Sequence, residues 1–142
     1  MIEKGLILVP TDFSEMCTEA LRRAVRIAER FPAKIEVIHV LAPPMPLWTD
    51  EMGLGPLPVE WTETLHKAAE RRIHDFIAEV KDIEVSSAIV EDADPADAVC
   101  RWAEQKQADL IVVGKHSRKQ GISRWLLGST TEKIVRHAPC SV

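Results

Sequence analysis

The sequence predicts an α/β fold in which an open parallel sheet is covered by helices on both faces. Short apolar runs rich in β-branched residues alternate with longer segments whose apolar residues recur at helical spacing. The runs are nearly continuous, which is typical of strands buried on both faces of a parallel sheet. The order β-α-β-α-β-α-β-α, with a short fifth strand at the end, therefore predicts a Rossmann-like sheet of five strands in the order 3-2-1-4-5.

The first part of the chain is predicted to form a strand, a capped helix and a second strand. Residues 5–9 are the first buried run, and residues 35–41 are the second. Between them, Asp12 stands three residues before Glu15, a spacing that predicts Asp12 as the N-cap of helix 1. Pro32 ends that helix. Its predicted inward-facing residues are Cys17, Leu21, Ala24, Ala28 and Phe31.

Residues 42–58 differ in composition from the rest of the chain, because they contain five of its nine prolines together with several large apolar side chains. A loop of this length is usually functional or packs its own apolar residues on the domain. The first interpretation is a lid or a surface for a protein partner. The sequence leaves both interpretations open.

The second half repeats the alternation. A helix is predicted over 59–80, a strand over 83–90, a strand over 110–113, a helix after Gly128, and a truncated fifth strand at 140–142. The third helix begins at Asp94, an N-cap aspartate followed by proline at N1. The inward-facing residues are predicted to be Leu65, Ala69, Ile73, Phe76, Ile77 and Val80 on helix 2, Val99, Trp102 and Ala103 on helix 3, and Ile134, Val135 and Ala138 on helix 4. His66 and His74 are expected to be solvated.

Length, charge and cysteine content restrict the class of protein. A chain of 142 residues suits one domain spanning 1–142, and a net charge of −4 without a basic stripe argues against nucleic acid as a partner. No signal peptide or membrane-length apolar run is visible, so we expect a cytoplasmic protein with no membrane partner. The three cysteines form no CxxC pair, which argues against a disulfide framework or a zinc site.

The segment 108–138 carries the strongest chemical signal. A buried run ends at Gly114, and Gly128 precedes Ser129-Thr-Thr-Glu132, a capping-box pattern at a helix start. A glycine followed by hydroxyl residues at a helix N-terminus presents free backbone N–H groups and the positive end of the helix dipole. This arrangement indicates an anion site, and phosphate is the usual anion. The cationic side chains of Lys115, Arg118, Lys119 and Arg124 lie in the same loop.

Three nucleotide-binding classes do not fit. The turn after strand 1 reads Pro-Thr-Asp-Phe-Ser and lacks the glycines of a dinucleotide-binding fold. No GxxxxGK[ST] sequence is present, which excludes a P-loop. Asp12 ends strand 1, but the acidic cluster that a phosphoacceptor domain would need beside it is missing. If strands 1 and 4 are adjacent, Asp12 and Gly114 meet at the carboxyl edge of the sheet.

Three stretches together resemble the universal stress protein family over nearly the whole chain: VPTDFSE after strand 1, ADLIVVG at strand 4, and WLLGSTTEKIVRHAPCSV after it. The resemblance implies a five-stranded parallel α/β fold that is commonly a homodimer, with the fifth strand often at the dimer seam. One branch of the family binds ATP through Gly, two residues, Gly, nine residues, then Gly-Ser or Gly-Thr. The cofactor that the resemblance implies is therefore ATP or AMP with Mg²⁺.

The resemblance also implies a set of nucleotide-binding positions. Asp12, with Pro10 and Thr11, would border the adenosine and the metal of a Mg-nucleotide, and the Val40 backbone would read adenine. The phosphate loop would comprise Gly114, Lys115, Ser117, Arg118, Gly121, Gly128, Ser129 and Thr130. Ser117 replaces the middle motif glycine, and the following segment is ten residues instead of nine. Gly121 is expected to absorb the insertion, and the chain stops shortly after the turn that precedes strand 5.

Three functions remain open on sequence alone. The first is a stress-response module whose bound nucleotide changes its protein partners. The second is a slow ATPase, for which His116 and Asp12 are the candidate bases, and at most weak hydrolysis is expected. No catalytic residue is assigned. The third is a nucleotide-free interaction or dimerisation protein, which Ser117 and the apolar 42–58 loop favour.

Overall fold

The computed structural model describes residues 4–43, 59–115 and 128–142. Four strands and four helices alternate along these residues. The strands are β1 (Gly5–Pro10), β2 (Ala33–Leu41), β3 (Val85–Glu91) and β4 (Leu110–Ile111). The helices are α1 (Glu15–Ala28), α2 (Val59–Ile77), α3 (Pro95–Gln105) and α4 (Ser129–His137).

The described strands form one parallel sheet in the order β3-β2-β1-β4. This confirms the predicted α/β class and the adjacency of strands 1 and 4. A fifth strand is not shown in the described residues, where the predicted position holds only an isolated parallel bridge between Leu110 and Ser141. The winding reverses between β1 and β4, because β2 and β3 extend the sheet on one side of β1 and β4 on the other.

Alternate residues of the central strands supply two apolar cores, one on each face of the sheet. Leu8 and Ile38 face α3 and α4 on one side. Val9 and Val37 face α1 and the end of α2 on the other. All four side chains are almost completely excluded from solvent. The period of two along each strand thus lets one sheet bury apolar side chains in both layers.

The predicted start of helix 1 is wrong by two residues. Ser14, not Asp12, is the N-cap of α1, and its side chain makes no capping hydrogen bond. The Asp12 carboxylate instead accepts a hydrogen bond from the Ser14 backbone N–H at 2.9 Å. Asp12 therefore closes a turn before the helix, a local bond that short polar side chains form readily.

The capping box predicted for helix 4 is also wrong. Gly128 is the N-cap, and Ser129 is already the first helical residue. Glu132 forms an ion pair with Arg136 at 2.8 Å, one turn further along, on the solvent side of the helix. A glycine N-cap needs no side-chain acceptor, so the helix starts one residue earlier than the hydroxyl pattern indicates.

Several predicted inward-facing residues lie at the surface, because the helices end earlier or turn differently from the periodic pattern. Phe31 follows the end of α1 and is 63% exposed. Leu65 and Val135 are each half exposed, at 50%. Val80 lies beyond the end of α2, but it is half-buried and packs against the core as predicted. His66 and His74 were expected to be solvated: His74 is exposed, and the His66 side chain is 41% exposed and contacts Glu70 at 3.1 Å.

The predicted start of the third helix is confirmed. The Asp94 side chain accepts a hydrogen bond from the Asp97 backbone N–H at 3.2 Å, and Pro95 occupies the first turn. Val99 and Ala103 are buried, and Trp102 packs against the same core. None of the helices in the described ranges is long and apolar enough to cross a membrane.

Candidate functional site

A cleft opens at the carboxyl edge of the sheet, where the ends of β1, β2 and β4 meet the starts of α1, α3 and α4. Parallel α/β sheets bind ligands at this edge, at the point where the winding reverses. Among the described residues, the cleft is lined by Pro10, Thr11, Asp12, Ser14, Met16, Cys17, Ile38, His39, Val40, Pro95, Gly114, Thr130 and Thr131.

The turn from β1 to α1 forms one wall of the cleft and is held by its own side chains. The Thr11 hydroxyl accepts a hydrogen bond from the Phe13 backbone N–H at 2.9 Å. Asp12 accepts from Ser14 in the same way. Phe13 has a φ of 67°, a left-handed conformation that is uncommon for a bulky residue. These two local bonds hold Phe13 in this conformation, and the strained turn presents Asp12 at the surface of the cleft.

The side chain of Cys17, in the first turn of α1, contacts the Asp12 carboxylate and holds it in place. Its thiol lies 3.2 Å from Asp12 Oδ1 and can donate to it. Burial raises the pKa of the Cys17 thiol above its ordinary value, and the nearby Asp12 charge acts in the same direction. The thiol therefore stays protonated near neutral pH and is available as a hydrogen-bond donor.

Aromatic side chains pack against the same turn from the side of α2. The rings of Phe13 and His39 are tilted at 42° with centroids 4.5 Å apart, and Arg72 lies 4.3 Å from the Phe13 centroid. His39 Nδ1 is 2.8 Å from the Thr11 carbonyl oxygen, which requires the ring proton to be on Nδ1. The end of β2 is thus tied directly to the end of β1.

Gly114 stands where the chain leaves β4 against the start of α1. A Cβ atom at this position would lie 2.8 Å from the Met16 carbonyl carbon and 3.1 Å from the Cys17 nitrogen. Both neighbours are backbone atoms, so a side chain has no room without a shift of the helix. Glycine is required here by close backbone approach.

The N-terminus of α4 forms the opposite wall. Its first backbone bond runs from the Glu132 N–H to the Gly128 carbonyl at 2.9 Å, so the N–H groups of the three residues between them are not used within the helix. The buried Thr131 hydroxyl donates to the Gly114 carbonyl at 3.1 Å. That bond joins the helix to the end of the β4 segment.

An ion pair outside the cleft joins α4 to α3. Lys133 donates to the carboxylate of Asp94, the N-cap of α3. This hydrogen bond, with the backbone bond from Asp97, lowers the pKa of the Asp94 carboxyl below its ordinary value. Both side chains are largely exposed, so the pair contributes orientation more than stability.

The predicted nucleotide-binding positions divide into three groups. Those that line the cleft together are Pro10, Thr11, Asp12, Val40, Gly114 and Thr130. Gly128 and Ser129 are the N-cap and first residue of α4, and Lys115 follows Gly114 as an exposed residue. Outside the described residues lie Ser117, Arg118 and Gly121, together with His116, Lys119, Arg124 and most of the 42–58 loop.

The set of predicted site residues lacks seven residues that line the cleft: Ser14, Met16, Cys17, Ile38, His39, Pro95 and Thr131. His39 adjoins Val40, which the sequence analysis did assign to the site, whereas Pro95 was identified only as the proline at N1 of the third helix. Cys17 was read as a core residue, which it also is, at 8% exposure. Thr131 gave a weak signal as a hydroxyl one turn into a helix, and only the fold reveals its bond to Gly114.

The cleft offers backbone donors and a single carboxylate. In the residues that the structure describes, no group of three or more His, Cys, Asp or Glu side chains could hold a metal ion. Asp12 is the only carboxylate that lines the described cleft, so any divalent cation here would depend on further oxygen ligands from a bound molecule. Unused N–H groups at a helix start and a close-packed glycine are suited to an anionic ligand.

These features define an α/β protein with a cleft at the switch point of a parallel sheet. The sequence model of the universal stress protein family matches residues 5–142. Universal stress protein MJ0531 of Methanocaldococcus jannaschii is 32% identical over 143 residues, covering 96% of this chain and 78% of that protein. The chain belongs to the universal stress protein family.

Solved structures share the fold. Universal stress protein UspA from Lactobacillus plantarum superposes with a TM-score of 0.70 at 28% identity, covering 100% of this chain and 97% of that one. A universal stress protein solved in complex with cAMP gives a TM-score of 0.67 at 23% identity, covering 99% and 95% of the two chains.

Proposed function

We propose that this protein, acting as one domain over residues 1–142, is a stress-response module that binds an adenine nucleotide, ATP or AMP, in the switch-point cleft. Nucleotide occupancy then changes its interaction with protein partners. The proposal includes a cytoplasmic location, because the three free cysteines suit a reducing compartment.

One observation carries the proposal: the end of β1, the close-packed Gly114 and the N-terminus of α4 converge on a single cleft. The β1 end supplies a carboxylate and α4 supplies unused N–H groups. A ligand that spans both needs hydroxyl groups or a bound cation at one end and an anionic group at the other. A nucleotide meets that description.

The roles within the cleft follow from its chemistry. The backbone N–H groups of Ser129 and Thr130 would donate to phosphate oxygens, and the helix dipole would favour the negative charge. The Asp12 carboxylate would accept from a ribose hydroxyl or contact Mg²⁺ carried by the nucleotide. The backbone of Val40, at the end of β2, would bond to the adenine edge.

The described part of the cleft favours binding over hydrolysis. A general base must reach the attacking water, and the one carboxylate that lines the described cleft, Asp12, is assigned in this proposal to a ribose hydroxyl or to Mg²⁺. We therefore include at most weak ATP hydrolysis in the proposal. The cAMP complex of another universal stress protein supports the choice of an adenine nucleotide, since it shows that this fold can hold one.

Calorimetric titration with ATP and Mg²⁺ tests the proposal, with Gly128→Asp as the binding-site variant. Aspartate is a favoured N-cap, so the variant should keep α4 folded while its charge repels the phosphates. Like charges about 4 Å apart cost about 1–4 kcal/mol between water and a protein surface, so we expect binding at least about fivefold weaker.

Gln105→Glu is the matched control, because it adds one negative charge at the exposed end of α3, away from the cleft. It should bind like the wild type. Absence of heat for the wild-type protein, with no nucleotide in the purified protein, would contradict the proposal and favour the nucleotide-free interaction protein. Equal affinity of the wild type and Gly128→Asp for ATP would show that the phosphates do not bind at the N-terminus of α4.

A further inference from the structure

The ion pair between Lys133 and Asp94 lies at the rim of the switch-point cleft, where α3 and α4 begin. Lys133 of α4 donates to the carboxylate of Asp94, the N-cap of α3. Pro95, which follows Asp94, and Thr130, which lies one turn before Lys133, both line the cleft. The pair is therefore adjacent to the cleft although neither of its side chains is among the lining residues.

The geometry of α4 directs the Lys133 side chain back toward the start of that helix. Side chains of an α-helix tilt toward its N-terminus, and residues three or four apart lie on the same face. Lys133 comes three residues after Thr130 and four after Ser129, the first residue of the helix. Its amine is thus carried toward the unused backbone N–H groups at the start of α4.

The lining of the cleft supplies little positive charge of its own. None of the described residues that line it is a lysine or an arginine. The start of α4 offers the positive end of a helix dipole, which amounts to about half a charge. Each further phosphate of a nucleotide adds negative charge that needs a cation. The amine of Lys133 is fully charged near neutral pH, because the hydrogen bond to Asp94 raises its pKa.

The two carboxylate oxygens of Asp94 have separate partners, so Lys133 can leave Asp94 without uncapping α3. Oδ1 accepts the capping hydrogen bond from the Asp97 backbone N–H at 3.2 Å, whereas Oδ2 accepts from Lys133. The side chains of Lys133 and Asp94 are 48% and 40% exposed. Exposed ion pairs contribute little to stability, so the exchange of Asp94 for a phosphate group as the partner of Lys133 costs the protein little.

We propose that Lys133 leaves Asp94 to bind the β- or γ-phosphate of a bound nucleotide, and that this exchange makes the cleft select ATP over AMP. The inference rests on the proposed function, because it requires the phosphate nearest the ribose to bind at the start of α4. A lysine amine forms charge-assisted hydrogen bonds with phosphate oxygens. Asp94 acts in the opposite direction, since its carboxylate competes for Lys133 and repels the phosphates.

The test is calorimetric titration of the full chain with ATP and with AMP, in one Mg²⁺-containing buffer. Lys133→Met should bind ATP at least about tenfold more weakly than the wild type and bind AMP within about threefold of it. Asp94→Asn keeps a favoured N-cap and removes the competing charge, so it should bind ATP about fivefold more tightly. A pair that only joins α3 to α4 would give changes in the same direction for both variants.

Two further variants complete the test. Lys133→Arg keeps the charge and should keep the preference for ATP. Arg136→Met is the matched control, because it removes one cation from an exposed ion pair in the last turn of the same helix, and both affinities should stay within about twofold of the wild type.

The outcomes separate this inference from the proposed function. A wild-type protein that binds neither nucleotide would overturn both. A wild-type protein that binds ATP no more tightly than AMP would overturn the inference alone. So would equal weakening of ATP and AMP by Lys133→Met, or weaker ATP binding by Asp94→Asn. Unchanged ATP affinity in Lys133→Met would assign the further phosphates to another cation, such as the exposed Lys115.

Discussion

Replacement of Gly114 by alanine tests the packing that brings β4, α1 and the cleft together. The new Cβ would lie 2.8 Å from the Met16 carbonyl carbon and 2.9 Å from its oxygen. Contacts this short do not persist, so the start of α1 or the end of the β4 segment must move. Movement of Met16 also shifts the turn in which Cys17 braces Asp12.

The expected loss of stability follows from two opposing effects. Overpacking of a well-packed site costs about 1–3 kcal/mol. A glycine-to-alanine change also restricts the unfolded chain, which raises the free energy of unfolding by about 0.4–1 kcal/mol. The free energy of unfolding should therefore fall by about 1–2 kcal/mol, which corresponds to a decrease in Tm of about 3–10 °C for a domain of this size.

Urea unfolding followed by far-ultraviolet circular dichroism measures the loss, with Gly5→Ala as the matched control. A Cβ at Gly5 would lie 3.2 Å from the end of the Asp109 side chain and 3.8 Å from backbone, so it can be accommodated more easily. Gly5→Ala should stay within about 1 kcal/mol of the wild type. Equal stability of the two alanine variants would refute the argument that Met16 excludes a side chain at Gly114.

Three further predictions concern the walls of the cleft and the ion pair that joins α3 to α4 outside it. Thr131→Val should lower the free energy of unfolding, measured by urea titration, by about 1 kcal/mol, because the Gly114 carbonyl loses its buried donor. Thr130 is exposed, so the control Thr130→Val should change the free energy of unfolding by less than about 0.5 kcal/mol. The folded-state pKa of the Asp94 carboxyl is lowered, so its pairing with Lys133 stabilises the protein above the unfolded pKa, and this stabilisation is lost as the pH falls through the folded pKa. Lys133→Met removes the pairing and should therefore flatten the loss of stability below about pH 4. Parallel curves of stability against pH for the variant and the wild type would contradict this. Because burial raises its pKa, the Cys17 thiol should react with Ellman's reagent at pH 8 at least about tenfold more slowly in the folded protein than in urea, and equal rates would contradict the burial of this thiol.

Much of the fold was predictable from apolar pattern alone. The central strands bury both faces, so their residues are continuously apolar and stand out in the sequence. The two-residue β4 was predicted as four, since Val112 and Val113 continue the apolar run beyond the ladder. Exposure of Leu65 and Val135 was not predictable in this way, because helical spacing gives a face of the helix but not how far the sheet beneath it extends.

The site was predictable where a single residue type is required by its geometry, as at Gly114. It was less predictable where the role depends on tertiary contact. Thr131 and His39 act through bonds to Gly114 and Thr11, which are distant in sequence. Asp12 and Ser129 were assigned as caps because their spacings match capping motifs, yet local hydrogen bonds and a glycine N-cap determine the actual helix starts.

A titration of the ¹⁵N-labelled protein with ATP and Mg²⁺, read by amide chemical shifts, tests the central claim most directly. Nucleotide binding in the switch-point cleft predicts saturable shifts concentrated at the amides of Asp12, Val40, Gly114, Ser129 and Thr130. The amide signals of Ile73, Ile77 and Ile89, which lie between α2 and β3 and outside the cleft, should not shift. No shifts, or shifts confined to residues outside the cleft, would contradict nucleotide binding at this site.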